Sequence, residues 1–581
     1  MASGDEKSSA AAAPASAGNG DSKGPGRPQK KGGFAGRQRA NGKVDQGRAA
    51  WKRDGEQKRH RDDPWRNRKR AKINEDGESV STEKTNPFSK EEIESEQRRP
   101  KRKVAVLIGY SGTGYKGMQV NGDEPTIERD LFRAFVAAGA ISKANADDPK
   151  KSTLVRCART DKGVHAAGNV ISLKLIIEDE DIVEKINDAL PEQIRIWGIQ
   201  RTMNSFSCYQ MCDSRWYEYL MPAYSLLPPH PDTYLGKKID ELAKEYGAED
   251  ALAQRMEDVK DFWSDLEEKE VKPILEKLEP QVRAEVIQRL HAGEDIKEHE
   301  LEKPVKASED AVAAGNQEEP KETSEEASAE TKAKPKKRLP TAVDFALRDI
   351  KAAYVAAKRR YRVSEYRLKR LQEALSAYEG SHLFHNYTVQ KSPTDPSARR
   401  HIKSFVVDPN PIVINNTQWL SLKVHGQSFM MHQIRKMVGL ATLLVRCGSS
   451  LDRIPESYTK VRMAIPKAPG LGLLLERPVF EMYNRKADGH GREPIDFAQH
   501  EEKMKAFKDK HIYQRIFEVE EEENFFYSFF NQIDQFKMNH FLWVTAGGMK
   551  VAQLEQGDAK AAEQVDQELD DEDEDPEGGD G

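Results

Sequence analysis

RCARTDKGVHAAGNV, residues 156–170, sets one carboxylate, Asp161, between Arg159 and Lys162 in a turn that precedes an apolar run. Adjacent cations favour the ionised carboxylate, so Asp161 is expected to be negative at neutral pH. An acid held that way suits a nucleophile better than a general acid, which needs a raised pKa. Gly163 lets the chain turn tightly, and the strand VISL beyond it fixes the turn on a rigid element. On local sequence alone a second reading stands beside this one, in which Asp161 pairs with Arg159 and pins the turn.

Other residues have the types that could join such a site. SCYQMCDSRWYEYLMP (207–222) reads as a strand with Tyr217 and Tyr219 on one face and Trp216 and Glu218 on the other. A tyrosine aimed into a pocket can stack on a nucleobase, although same-face tyrosines also build cores. EGSHLFHNYT (379–388) packs two histidines and two aromatics into a loop. SFMMHQIRKMVG (428–439) opens a helix read from Phe429 to Cys447, with Phe429, Ile434, Met437 and Val438 on its apolar face. Arg435 interrupts that face, and a cation there needs an anion; Asp161 is the anion expected.

Metal and hydrolase readings are weaker. Cys157, Asp161 and His165 are neighbours, but Cys208 and Cys212 have no partner doublet, so a structural zinc is disfavoured and no cofactor is expected. There is no nucleophile elbow, and GTGYKG (112–117) is an incomplete phosphate loop that reads as a Gly-rich turn.

Hydrophobic periodicity supplies the elements that must position these residues. VAVLIGY (104–110), STLVRCART (152–160), NVISLKLII (169–177) and QIRIWGIQRT (193–202) read as strands. TIERDLFRAFVAAGAI (126–141) and DIVEKINDAL (181–190) read as helices, the second stopped by Pro191. Further on, IKSFVVD (402–408) and WLSLKVHG (419–426) are strands and the Arg435 segment a helix. The alternation predicts an α/β (α+β) fold with helices on a face of a sheet.

At 581 residues and 37% hydrophobic content, the chain can bury a large core and still carry unfolded segments. Four scattered cysteines suggest a reducing compartment. The start, MASGDEKSSA, lacks a secretory apolar stretch and carries early acids unlike a mitochondrial presequence, so a soluble protein without a membrane partner is expected. The net charge of −5 hides a partition. Residues 23–72 hold 18 Lys or Arg against 5 Asp or Glu, and residues 555–581 hold 1 against 13. Residues 240–334 hold 14 against 28, which leaves the apparently folded remainder near +10, as suits a surface that meets phosphates.

The composition predicts a disordered basic arm over 1–100, a folded part over 101–239, and an acidic helical insertion with a flexible linker over 240–338. A second folded part over 339–490, a helical extension over 491–554 and a disordered acidic tail over 555–581 complete the division. RNRKRAK (66–72) and RRPKRK (98–103) are basic clusters of the kind an import receptor binds, so a nuclear location is expected.

Six blocks, in order, carry a resemblance to a known family: GYSGTGYKGMQ (109–119), RTDKGVHA (159–166), SRWYEYLMP (214–222), EGSHLFHNYT (379–388), FMMHQIRKMVG (429–439) and PGLGLLLERPVF (469–480). Together the chain resembles the pseudouridine synthases of the bacterial tRNA pseudouridine synthase A family, and most closely their eukaryotic nuclear branch. The resemblance implies two similar subdomains with largely antiparallel sheets around a central basic cleft. It implies isomerisation of uridine to pseudouridine in tRNA, with U2 small nuclear RNA and messenger RNA as further candidates. By the same resemblance Asp161 is the essential carboxylate, Arg159 fills the gap left by the flipped nucleotide, and Tyr217 stacks on the target base. Arg435 pairs with the catalytic Asp, Leu473 is expected to contact the base, and His385 is taken as substrate-binding. The insertion, arm and tail depart from the bacterial homodimer, and a monomer is expected. Two rivals stand beside the isomerase: a non-catalytic RNA-binding or chaperone protein on this scaffold, and a metal-dependent RNA hydrolase using Asp161 and His165.

Overall fold

The computed structural model describes residues 86–290, 340–389 and 391–552. The arm expected over 1–100 up to residue 85, residues 291–339, where the linker is expected, and the acidic tail expected over 555–581 lie outside the described residues. The apolar run VAVLIGY forms strand β1 (Arg102–Tyr110), buried along almost its whole length because both faces of the sheet are covered. Strands β2 (Val155–Arg156), β3 (His165–Leu175), β4 (Ile194–Arg201) and β5 (Ser214–Pro222) follow. After the insertion come β6 (Gly380–Leu383), β7 (Arg399–Val407), β8 (Ile412–Ile414), β9 (Thr417–Gly426) and β10 (Leu473–Val479).

These ten strands form one sheet in the order β4-β1-β3-β10-β5-β9-β7-β6, with β2 beside β3 and β8 beside β9. Every pairing is antiparallel except that of β10 with β3. The largely antiparallel character expected from the resemblance is present, but the sheets of the two halves are continuous through β10 and β5.

Helices α1 (Ile127–Ala137) and α2 (Ile182–Asp188) accompany the first half. Helix α3 (Tyr234–Glu245) opens the insertion, and α4 (Ala342–Arg360) follows the linker. Helices α5 (Glu365–Ser376) and α6 (Gln433–Arg446) serve the second half, where the α5 residue Gln372 hydrogen-bonds the β7 backbone at Phe405 and Val407. In the extension, α7 (Glu501–Phe507) runs through a π-helical stretch (Lys508–Tyr513) straight into α8 (Gln514–Glu523), and a left-handed Asn524 parts α8 from α9 (Phe525–Gln535). They pack on the sheet: Phe507 stands edge-on to Trp197 at 5.3 Å, and Phe517 meets Trp419 at 4.8 Å. A buried ion pair between Arg446 of α6 and Asp534 of α9 locks the extension to the second half.

The structure corrects four sequence expectations. The second strand shrinks to Val155–Arg156, since Cys157 to Gly163 turn away as a loop. Strand β3 begins at His165, four residues before Asn169. Residues 86–100, assigned to the disordered arm, include the helix Lys90–Glu94, which Ser89 and Glu92 close in a capping box. Helix α4, assigned to the second folded part, builds a separate core with the insertion: Ile350 and Tyr354 pack with Trp263, Leu266 and Val271. Among the described residues no helix is long and apolar enough to cross a membrane.

Candidate active site

The loop that carries Asp161 is strapped to the Gly-rich segment after β1. Met118 N–H donates to the Thr160 carbonyl at 3.1 Å, and Gly163 N–H to the Tyr115 carbonyl at 3.3 Å. The Tyr110 and Thr160 hydroxyls share a hydrogen bond at 2.9 Å, while Asn169 donates to Tyr110 and to the Ala158 carbonyl. Val164 N–H closes the turn onto the Asp161 carbonyl, with Gly163 at φ +74°, where a side chain is strained. A Cβ on Gly112 would stand 2.3 Å from the Val164 carbonyl oxygen, so only glycine lets the two loops touch there. His165 anchors the base of the loop, its Nδ1 accepting Gly112 N–H at 3.1 Å. Burial pushes the His165 pKa down to about 4, so its ring is neutral and structural. GTGYKG is therefore a turn, as read, whose backbone fixes the Asp161 loop.

The Asp161 side chain remains about one-third exposed, with Oδ2 3.9 Å from Nε2 of His432. His432 sits at φ +62°, the left-handed residue from which α6 starts. The helix begins at Gln433, not at Phe429, and the non-helical stretch before it carries Phe429 to Tyr217 and His432 to Asp161. Burial lowers the His432 pKa to about 2, helped by Lys467, Arg435 and Lys436. Arg435, three residues into α6, is buried and donates from Nε to the Ala468 carbonyl at 2.6 Å. Its guanidinium lies against Gly470.

Tyr217 is 8% exposed on β5, and Phe429 packs edge-on to it with ring centroids 5.3 Å apart at 81°. Burial drives the phenol pKa far above its ordinary value, and the nearby Asp161 charge adds to the rise. The phenol is protonated at neutral pH. On the opposite face, Glu218 accepts hydrogen bonds from Ser421 and from Tyr513 at 2.5 Å, with Lys508 between it and Glu476. Burial opposes the Glu218 charge, but Lys508 and these hydroxyls outweigh it and its pKa falls.

Of the residues expected from sequence, Asp161 and Tyr217 come together electrostatically, and Arg435 acts on the histidine that touches Asp161. Arg159 is exposed. Leu473 is buried and pairs with Tyr219, on the same face as Tyr217, while Leu475 pairs with Tyr217 itself. His385 lies in a buried turn tied elsewhere, through Asn386 and Tyr387 to Ser457 and Val461. Cys157, Cys208 and Cys212 are free thiols. His432 and Leu475 escaped the sequence reading, and Phe429 entered it only as an apolar residue of a helix that the structure starts later. His432 was legible only as part of a helical run, and the Leu475 register spans more than 250 residues.

The family described as tRNA pseudouridine synthase matches residues 374–481, which hold His432, Arg435 and Leu473. Across the longer chain, tRNA pseudouridine synthase 1 of Kluyveromyces lactis is 45% identical over 480 residues, covering 82% of this chain and 78% of its own. The protein of that name from Schizosaccharomyces pombe is 41% identical over 490 residues, covering 78% and 87%. The pseudouridylate synthase 1 homolog of Mus musculus is 32% identical over 437 residues, covering 74% of each.

Proposed function

The chain belongs to the tRNA pseudouridine synthase family, and from that premise we propose that it isomerises uridine to pseudouridine within tRNA, with Asp161 as the reactive carboxylate. The observation that carries this is the meeting of Asp161 with the start of α6 beside the buried, protonated Tyr217. A helix of 14 residues presents positive charge at its first turn, which favours the ionised carboxylate.

The reaction breaks C1′–N1, rotates the base, joins C5 to C1′ and moves one proton from C5 to N1. The uracil must first leave its stack, at a cost of a few kcal/mol. Stacking on Tyr217 returns on the order of 1–3 kcal/mol. Because Tyr217 is 8% exposed, the base enters only with movement of its neighbours. Phe429, which packs edge-on to Tyr217, is a neighbour that no strand or helix holds. In this reading the protonated phenol donates a hydrogen bond during the rotation, Arg435 pairs with Asp161, and exposed Arg159 fills the vacated stack. Leu473 and Leu475 supply apolar wall beneath the base.

U2 small nuclear RNA and messenger RNA are further substrates in this reading, supported by the resemblance to the nuclear branch. The basic clusters support nuclear import through an import receptor, and the added segments support a monomer. The test replaces Asp161 by Asn in the full chain. Pseudouridine, mapped by primer extension on tRNA, is expected to vanish while tRNA binding stays within about threefold. Retained pseudouridine would overturn the assignment.

A further inference from the structure

His432 holds an unusual place. It is a non-glycine residue at φ +62°, it opens a buried 14-residue helix, and its side chain is only 14% exposed. A bulky side chain in that backbone region carries a cost that surrounding structure must sustain, and such positions concentrate at working sites. The ring faces four charged groups: Asp161 from the loop before β3, Arg435 and Lys436 from α6, and Lys467 from the segment before β10. Three cations and burial exclude the imidazolium, so the ring carries one proton.

Where that proton sits follows from the contacts. Nδ1 is buried with no hydrogen-bond partner among the described residues, whereas Nε2 faces the Asp161 carboxylate. A buried N–H without an acceptor costs more than an idle acceptor, so the proton belongs on Nε2. The 3.9 Å separation is about 1 Å beyond hydrogen-bond length, and catalytic hydrogen bonds commonly tighten only when substrate is bound.

We propose that His432 is the positioning residue for Asp161, donating Nε2–H to Oδ2 once RNA is bound and holding the carboxylate toward the reacting nucleoside. This rests on Asp161 being the reactive carboxylate. A neutral donor suits the task, because it orients the acid without giving it a proton. An imidazolium in the same place would share its proton with Asp161 and blunt it as a nucleophile.

Two amide substitutions separate donor from shape. The amide nitrogen of Gln reaches the place of Nε2, whereas that of Asn reaches only the place of Nδ1 but tolerates the left-handed backbone. Single-turnover pseudouridine formation on tRNA is expected to fall about 10- to 100-fold in His432→Asn and to stay within about fivefold of the parent in His432→Gln. Loss of the donor also raises the Asp161 pKa, so the acidic limb of the rate–pH profile moves to higher pH in His432→Asn alone. Binding of tRNA stays unchanged in both. A parental rate in His432→Asn, or equal losses in both variants with an unmoved acidic limb, overturns the proposal. An active Asp161→Asn enzyme overturns the reading of Asp161 itself, whatever the histidine variants do.

Discussion

Gly112 and Val164 meet backbone to backbone, so closely that a Cβ on Gly112 would stand 2.3 Å from the Val164 carbonyl oxygen. That contact is where the Gly-rich segment braces the loop of Asp161. Gly112→Ala must push the two loops apart, because backbone cannot swing away as a flexible side chain can. A displacement near 1 Å at a reacting group costs on the order of 100-fold in rate. Single-turnover assays of the variant are expected to show that loss with tRNA binding intact. Gly489→Ala, whose Cβ would meet nothing nearer than 3.8 Å, is the control that should leave the rate unchanged.

Phe429 is expected to govern how firmly Tyr217 is held. Edge-to-face aromatic pairs contribute about 0.5–1.5 kcal/mol beyond the area they bury. Phe429→Ala should therefore lower stability by about 1–3 kcal/mol in denaturant melts and slow pseudouridine formation, while Phe429→Tyr preserves both. An unchanged rate in Phe429→Ala would show that Tyr217 needs no such support.

Glu218 ties β5 to the C-terminal extension from the face opposite Tyr217. Removing it leaves the hydroxyls of Ser421 and Tyr513 without their carboxylate and Lys508 with Glu476 alone. Glu218→Ala is expected to cost about 2–4 kcal/mol of stability, read from the urea midpoint. Glu218→Gln, which keeps an acceptor, should cost less. A change below about 0.5 kcal/mol would mean that the cluster does not hold β5.

Stability should also depend on pH through Glu520, buried against Tyr224 and the Phe526 backbone. Burial lifts its pKa to about 7, above the ordinary 4.5, against the pull of those hydrogen bonds. The folded state thus holds the proton more tightly than the unfolded chain. Its favourable effect is complete below about pH 4.5 and is lost as pH rises through about 7, a change on the order of 3 kcal/mol. Thermal melts of Glu520→Gln should lack this slope, so the variant gains on the parent as pH climbs from 5 to 8.

Much of the fold was legible in the sequence because local pattern decided it. The continuous apolar run of β1, the alternation leading into β3 and the proline after α2 each left a signature within a dozen residues. The Asp161 motif was legible for the same reason, since its charges and its glycine are contiguous. What the sequence hid is non-local. Phe429 and Ile434 look like one helical face, yet a left-handed histidine separates them, and no periodicity signals a positive φ at a non-glycine residue. The continuity of the sheet hid likewise, for β10 chooses both its neighbours across hundreds of residues. Helix α4 reads as part of the second half, yet Ile350 and Tyr354 pack with Trp263, Leu266 and Val271 of the insertion, a non-local choice that its own periodicity does not record.

The position of β10 has a consequence for how the protein comes into being. Leu474 and Leu475 pair with His165 and Ala166 on one side and with Glu218 and Tyr217 on the other. A ribosome must therefore synthesise more than four-fifths of the sequence before the strand that unites the halves exists. Until then β5 presents an unsatisfied edge, the kind of template on which nascent chains aggregate. A message cut short before codon 473 is expected to yield a burden for chaperones and not a weakened enzyme.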